Sequence, residues 1–221
     1  NAKFRYRPYP IGLAKPIFDE ESYKILVETF PSDEILVQHP FRNQSGGYNK
    51  YALNEKVTAY HQYLETHPIW AAFYLSIKNA QFPEFILAML RSHGITVAPS
   101  PKWTCRFEFA GMPADGGMIA PHTDIPSKAV TLIFSMLKPG EWDPAWGGGT
   151  DVLRPLDSSK PLESYQVPLD QFETVSSYAY TPNQCVIFVK NDVSWHSVGP
   201  MTGPAGQMRR TLTLNIERGK A

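Results

Sequence analysis

His122-Thr123-Asp124 sets an imidazole and a carboxylate two residues apart, and a further histidine stands far downstream in Val193-Ser194-Trp195-His196-Ser197-Val198. Two histidines and one carboxylate make the facial triad that leaves open coordination positions on a non-haem Fe(II). Side chains at i and i+2 of a strand share a face, so His122 and Asp124 can grip one ion from one strand end. His196 must then arrive from a different strand. Ligation requires neutral imidazoles and an ionised carboxylate. Taken alone, H-x-D is a weak signal, because six histidines make a chance match unsurprising and a His-Asp pair is often structural.

The order of the motifs adds to that signal. After H-x-D come a Gly-rich strand opening, Trp146-Gly147-Gly148-Gly149-Thr150, then Thr181-Pro182-Asn183-Gln184-Cys185-Val186-Ile187-Phe188, then His196-Ser197-Val198-Gly199-Pro200. An alternating strand, Met208-Arg209-Arg210-Thr211-Leu212-Thr213-Leu214-Asn215-Ile216, follows. With Ala120-Pro121-His122-Thr123-Asp124, this series resembles the Fe(II)/2-oxoglutarate-dependent dioxygenases, and within them the prolyl 4-hydroxylase-like branch. The resemblance runs from about Cys105 to Glu217. It implies a metal held by His122, Asp124 and His196, with 2-oxoglutarate as cosubstrate, O2 as oxidant and ascorbate as an accessory reductant. It also implies hydroxylation of a peptide or small molecule with release of succinate and CO2.

The distal carboxylate of 2-oxoglutarate calls for a planar two-point cation, which arginine supplies better than lysine. Arg210 shares its face with Leu212, Leu214 and Ile216, whereas Arg209 shares its face with Thr211, Thr213 and Asn215. Arg209 is the expected carboxylate ligand, with Thr211 as hydroxyl helper, and Arg210 is expected as an exposed strand charge. Thr131 matches a family position that often faces the cosubstrate. The best-known hydroxylases carry a tyrosine slightly further on, where this chain has Phe134-Ser135. Lys128 lies near the motif and reads as a solvated loop charge. The Gly-rich turn is a poor phosphate loop, since no Lys-Ser/Thr follows it; it reads as a strand opening with close backbone approach.

These residues need a scaffold. From Trp103 the hydrophobic period is two: Trp103, Cys105, Phe107 and Phe109 alternate with Thr104, Arg106 and Glu108. Further strands are expected over 129–136, 149–153, 183–190 and 208–217. Short strands between Gly- and Pro-rich turns indicate an antiparallel sandwich or barrel. The resemblance narrows this to a double-stranded β-helix, a cupin-like jelly roll, making a mainly β fold with flanking α. Residues 1–100 read as mainly helical support for the jelly-roll core at 101–221, all within a single domain 1–221. Helices are expected over 19–30, over 54–65 with Asn54 as cap, from Pro68 onward, and over 82–91 with Gly94 closing the last. His39, His61, His67 and His93 read as surface or capping histidines. The segment 151–180 reads as a long connection, either a lid over the metal or a plain surface excursion.

Composition bounds the function. Lys+Arg and Asp+Glu are balanced at 21 each and the pI is near 7.2, which favours neither nucleic acid nor an anionic membrane as partner. Phe4-Arg5-Tyr6-Arg7 is the most basic stretch and reads as a solvated arm. Cys105 and Cys185 read as reduced core thiols, which fits a cytoplasmic location. No apolar run reaches the length of about 18 residues that suggests a membrane helix. A metal-binding jelly roll without 2-oxoglutarate chemistry, acting as isomerase, hydrolase or sensor, is the competing class. Oligomeric state and substrate are not encoded in any motif.

Overall fold

A computed structural model describes residues 2–38, 49–157 and 167–219. Its frame is two antiparallel sheets. The larger contains β1 (Ala2–Arg5), β2 (Ile11–Ala14), β3 (Val37–Gln38), β4 (Tyr51–Asn54), β5 (Lys102–Pro113), β7 (Lys128–Ser135), β10 (Cys185–Val189) and β12 (Met208–Gly219), ordered β1-β2-β10-β7-β12-β5-β4-β3. The smaller runs β6-β11-β8-β9, from β6 (Ile119–His122), β8 (Thr150–Pro155), β9 (Phe172–Tyr178) and β11 (His196–Val198). The two sheets face each other as the double-stranded β-helix.

The period of two decides what each face of the large sheet does. Phe107 and Phe109 of β5, Val130, Leu132 and Phe134 of β7, Ile187 of β10, and Leu212, Leu214 and Ile216 of β12 point one way. There they meet Tyr23 and Leu26 of α1 (Glu20–Glu28), Tyr60 and Leu64 of α2 (Thr58–Thr66), Trp70 and Ile77 of α3 (Pro68–Lys78), and Ile86 and Leu90 of α4 (Gln81–Ser92). The alternate residues of β12, Arg209, Thr211, Thr213 and Asn215, are also buried, but on the side facing the small sheet. Val186 and Phe188 of β10 close that interior against Val152 of β8, with Tyr9 and Ile11 beneath them.

The helices begin and end for local reasons. Asp19 caps α1, its carboxylate accepting the Ser22 N–H at 2.9 Å. Pro68 opens α3 at the position where its missing N–H costs nothing. Gly94, at φ +71°, takes the left-handed conformation just past α4. Trp70 is fully buried among Phe73, Phe107 and Phe109, and its indole N–H donates to the Thr29 carbonyl at 2.7 Å.

Several expectations change. The first hundred residues supply four strands of the large sheet as well as the helices, and β1 and β2 continue it beyond β10. Phe4 and Arg5 are therefore strand residues rather than part of a free arm. Asn54 ends β4 and turns the chain, its side chain accepting from the Lys56 N–H, while α2 starts at Thr58 without a side-chain cap. The segment 151–180 is not one long connection. Asp151 to Pro155 and Phe172 to Tyr178 are partners in a β8–β9 ladder. Of the remainder of the lid expectation, residues 158–166 lie outside the described residues, as does His39. His67 and His93 cap helix ends, and His61 bonds the Glu55 carbonyl at 2.9 Å. Both cysteines are free and buried. No described helix is long and apolar enough to cross a membrane.

Candidate metal centre and carboxylate pocket

The small sheet assembles the triad. β11 pairs antiparallel with β6 so that His196 lies directly across from His122. Their ring centroids are 4.2 Å apart. Asp124 follows β6 by two residues, and one candidate ligand atom from each of His122, Asp124 and His196 lies within 4.8 Å of the others. Among the described residues this is the only such group. A larger cleft of about 710 Å³ along β4 and β5, lined by Asn54, Arg106 and Glu217 among others, holds none.

Each imidazole is oriented by its own strand. His122 Nδ1 lies 2.9 Å from the Ala120 carbonyl, and His196 Nδ1 lies 2.9 Å from the Ser194 carbonyl. A carbonyl can only accept, so both Nδ1 atoms carry the proton and both Nε2 lone pairs are left to a ligand. Burial, reinforced by the neighbouring His196, pushes the His122 pKa down to about 3, and burial lowers that of His196 as well. Both rings are therefore neutral at physiological pH. Burial opposes ionisation of Asp124, but neighbouring positive charge, the Lys128 ammonium first, outweighs it and holds the carboxyl well below the usual range. The donor set is thus two neutral nitrogens and one carboxylate, which suits a divalent cation of the Fe(II) type.

Asp124 is held from both sides. Lys128 makes an ion pair with Oδ1, with its side chain only 15% exposed, so it is not the solvated loop charge expected from sequence. Thr131 donates to Oδ2 at 2.6 Å and lies 3.1 Å from Oδ1 of Asn215. One hydroxyl proton cannot serve two acceptors. With the Asn215 amide turned over, its otherwise unpartnered Nδ2 donates to Thr131, and the Thr131 proton remains on Asp124. The Thr131 hydroxyl is therefore committed to the carboxylate of the triad. Lys128 and Asn215 were the residues sequence reasoning missed here. For Asn215 the signal was present in its shared face with Arg209.

The same pocket contains Arg209, Thr211 and Thr213 of β12, together with Thr150, Ile133 and Phe188. Arg209 is 6% exposed. Its Nε donates to the Gly148 carbonyl, and its Cζ lies 5.0 Å from the Tyr180 ring centroid. No carboxylate among the described residues forms a salt bridge with it, and burial pulls its pKa down. The Asp151 charge acts on it only from beyond ion-pair distance, and a buried guanidinium with no direct ion-pair partner is costly unless a ligand supplies one. A carboxylate-bearing ligand reaching from the triad fits that need. Arg210 points to the helix side, where it binds Asp33 through two nitrogens, at 3.1 and 2.8 Å, and lies 3.7 Å from Glu141. It is half-buried and ion-paired, not simply exposed.

Comparison with known proteins identifies the fold. No family model and no curated protein matches the sequence. Among solved structures, the chain is similar to a prolyl-4-hydroxylase of Pseudomonas putida, with TM-score 0.54 and 16% identity over 95% of this chain and 93% of the other. It is similar to a viral collagen prolyl hydroxylase from Paramecium Bursaria Chlorella virus-1 solved as its 2OG complex, with TM-score 0.53, 10% identity and 95% and 96% coverage. It also resembles SnoN, a non-heme alpha ketoglutarate dependent epimerase from nogalamycin biosynthesis, with TM-score 0.54, 13% identity and 94% and 76% coverage. The chain shares the double-stranded β-helix of the 2OG-Fe(II) oxygenases.

Proposed function

We propose that this protein is an Fe(II)- and 2-oxoglutarate-dependent oxygenase that hydroxylates a peptide or small-molecule substrate. The observation that carries this reading is the coexistence, in one pocket, of a His-Asp-His group and a buried guanidinium that makes no salt bridge to a carboxylate among the described residues. In the proposed site, Nε2 of His122, Nε2 of His196 and the Asp124 carboxylate hold the metal. Arg209 receives the distal carboxylate of 2-oxoglutarate, with Thr211 beside it. When bound, iron and 2-oxoglutarate with O2 supply the oxidation of a substrate C–H bond, and succinate and CO2 are released.

The chain's own residues orient, neutralise and exclude water. The Ala120 and Ser194 carbonyls fix the two histidine tautomers. Lys128 keeps Asp124 ionised and Thr131 fixes its rotation. Phe188, whose ring centroid is 4.5 Å from that of His196, walls the site on the side of the large sheet. A jelly roll acting without a 2-oxo acid leaves Arg209 in the pocket without a direct ion-pair partner.

Anaerobic addition of Fe(II) and 2-oxoglutarate should produce a weak visible charge-transfer band. Loss of the band in Arg209→Ala is expected at 2-oxoglutarate concentrations that saturate the wild type. Absence of any band in the wild type, with Fe(II) bound, would favour the competing class. Because a structural neighbour is an epimerase, succinate release alone does not establish hydroxylation; mass analysis of the product for one added oxygen does.

A further inference from the structure

The Gly-rich turn and Tyr180 are not accounted for by metal binding, yet both converge on Arg209. Gly148 sits at φ +82°, a region where an L side chain is strained. A Cβ there would stand 3.0 Å from Trp142 Cζ2, 3.1 Å from Met201 Sδ and 3.3 Å from Arg209 Cδ. The Gly148 carbonyl accepts the Arg209 Nε–H. The turn is itself pinned, since the Trp142 indole donates to the Gly147 carbonyl at 2.9 Å. On another side, the Tyr180 ring lies against the guanidinium, and Trp142 packs edge-on to that ring at 5.0 Å.

The Tyr180 hydroxyl does not serve a ligand. It donates to the Arg210 carbonyl at 2.7 Å and accepts from the Arg210 N–H at 3.0 Å. The phenol is therefore spent on the backbone, and what it offers Arg209 is its aromatic face. With Nε held and one face covered, the guanidinium keeps a single orientation, with the two terminal nitrogens left for a ligand. Among the described residues those nitrogens make no hydrogen bond or salt bridge to the protein.

We infer that Gly148 and Tyr180 are positioning residues that pre-set the Arg209 fork for the distal carboxylate of the 2-oxo acid. This rests on the reading of Arg209 given above. It also accounts for how the chain does without a tyrosine at Phe134-Ser135: the carboxylate is bound by the arginine fork, and the aromatic group supports the arginine.

The test compares two acids that chelate a metal alike and differ in the distal group, 2-oxoglutarate and pyruvate. Their dissociation constants are measured anaerobically with Fe(II) on wild type, Arg209→Ala, Gly148→Ala, Tyr180→Leu and Tyr180→Phe, alongside Mn(II) affinity. Gly148→Ala and Tyr180→Leu should weaken 2-oxoglutarate by about ten- to a hundredfold, the value of a charged hydrogen bond. Pyruvate and Mn(II) binding should stay at wild-type values. Tyr180→Phe, which keeps the ring, should lie much nearer the wild type than Tyr180→Leu. If Gly148→Ala does not fold, Tyr180→Leu, which leaves the turn intact, carries the test. Wild-type 2-oxoglutarate affinity in these variants, with Arg209→Ala impaired, overturns the inference. So does a loss that falls equally on pyruvate, since the residues would then serve the fold alone. Normal 2-oxoglutarate binding by Arg209→Ala would instead remove the reading of Arg209 itself, and the inference with it.

Discussion

Arg209 and Arg210 are adjacent and equally charged, and the strand sends them to opposite sides of the sheet. Removing one side of a buried charge pair typically costs about 3–5 kcal/mol, so Arg209→Ala should raise the cosubstrate KM by about a hundredfold or more. Arg210→Ala breaks a half-buried pair with Asp33 and should cost at most about 1 kcal/mol of stability, leaving that KM unchanged. Steady-state kinetics and denaturant melts on both variants measure this, and the reverse pattern would mean that the facing of β12 is misassigned. His122→Ala and His196→Ala should each lose Mn(II) binding while keeping the melting temperature near that of the wild type. Full turnover by either would sink the triad. The ligand types were legible in sequence, because H-x-D and the later His carry their own spacing argument. The two partners of Asp124 were not. The burial of Lys128 depends on how the 125–127 turn folds back, and no local pattern reports it.

Strand pairing, rather than the loop sequence, brings His196 across from His122. Binding of a metal there should therefore slow amide exchange in β6 and β11 before any other element. Hydrogen exchange with and without Mn(II) tests this, and protection appearing only in the helical layer would contradict the site. Without metal, the amides of β7 and β12, each paired on both sides, should exchange more slowly than those of the edge strands β1 and β3. β5 and β12 were readable because their twelve residues offer several turns of the two-residue period, and β7 and β10 showed as apolar runs. β1, β3, β4, β6 and β11 run only two to four residues, too few for alternation to register. β9 was hidden because four of its seven residues, Glu173, Thr174, Val175 and Ser177, are exposed, and its sequence carries little apolar alternation.

The whole molecule divides its labour between a helix-backed core and a polar interior, and the two should respond to different insults. Trp70→Ala removes a fully buried ring from between helices and sheet and should cost about 3–5 kcal/mol, with Mn(II) affinity intact in the protein that remains folded. Acid should act on the interior. Burial raises the pKa of Glu108, but Lys50 outweighs it and holds the group at about 2. The unfolded value is higher, so this carboxylate contributes stability that is fully present above the ordinary glutamate range and is lost as pH falls through about 2. Stability measured by chemical denaturation should fall between those limits, and Glu108→Gln should flatten that part of the curve. An unchanged slope in the variant would assign the acid lability elsewhere. Pairings such as Glu108 with Lys50 and Arg210 with Asp33 join distant segments, which is why composition and periodicity could bound the fold without revealing them.

β12 serves two structures at once, alternating residue by residue between the core and the pocket. A saturation scan of positions 209 to 216 would then trace a sawtooth in two separate assays. At Leu212, Leu214 and Ile216, substitutions should lower the amount of protein recovered from cells while leaving specific activity per folded molecule unchanged. At Arg209, Thr211 and Thr213, yield should hold and catalysis should fail. A one-residue deletion just before Leu212 would exchange the two sets and should abolish both signals together.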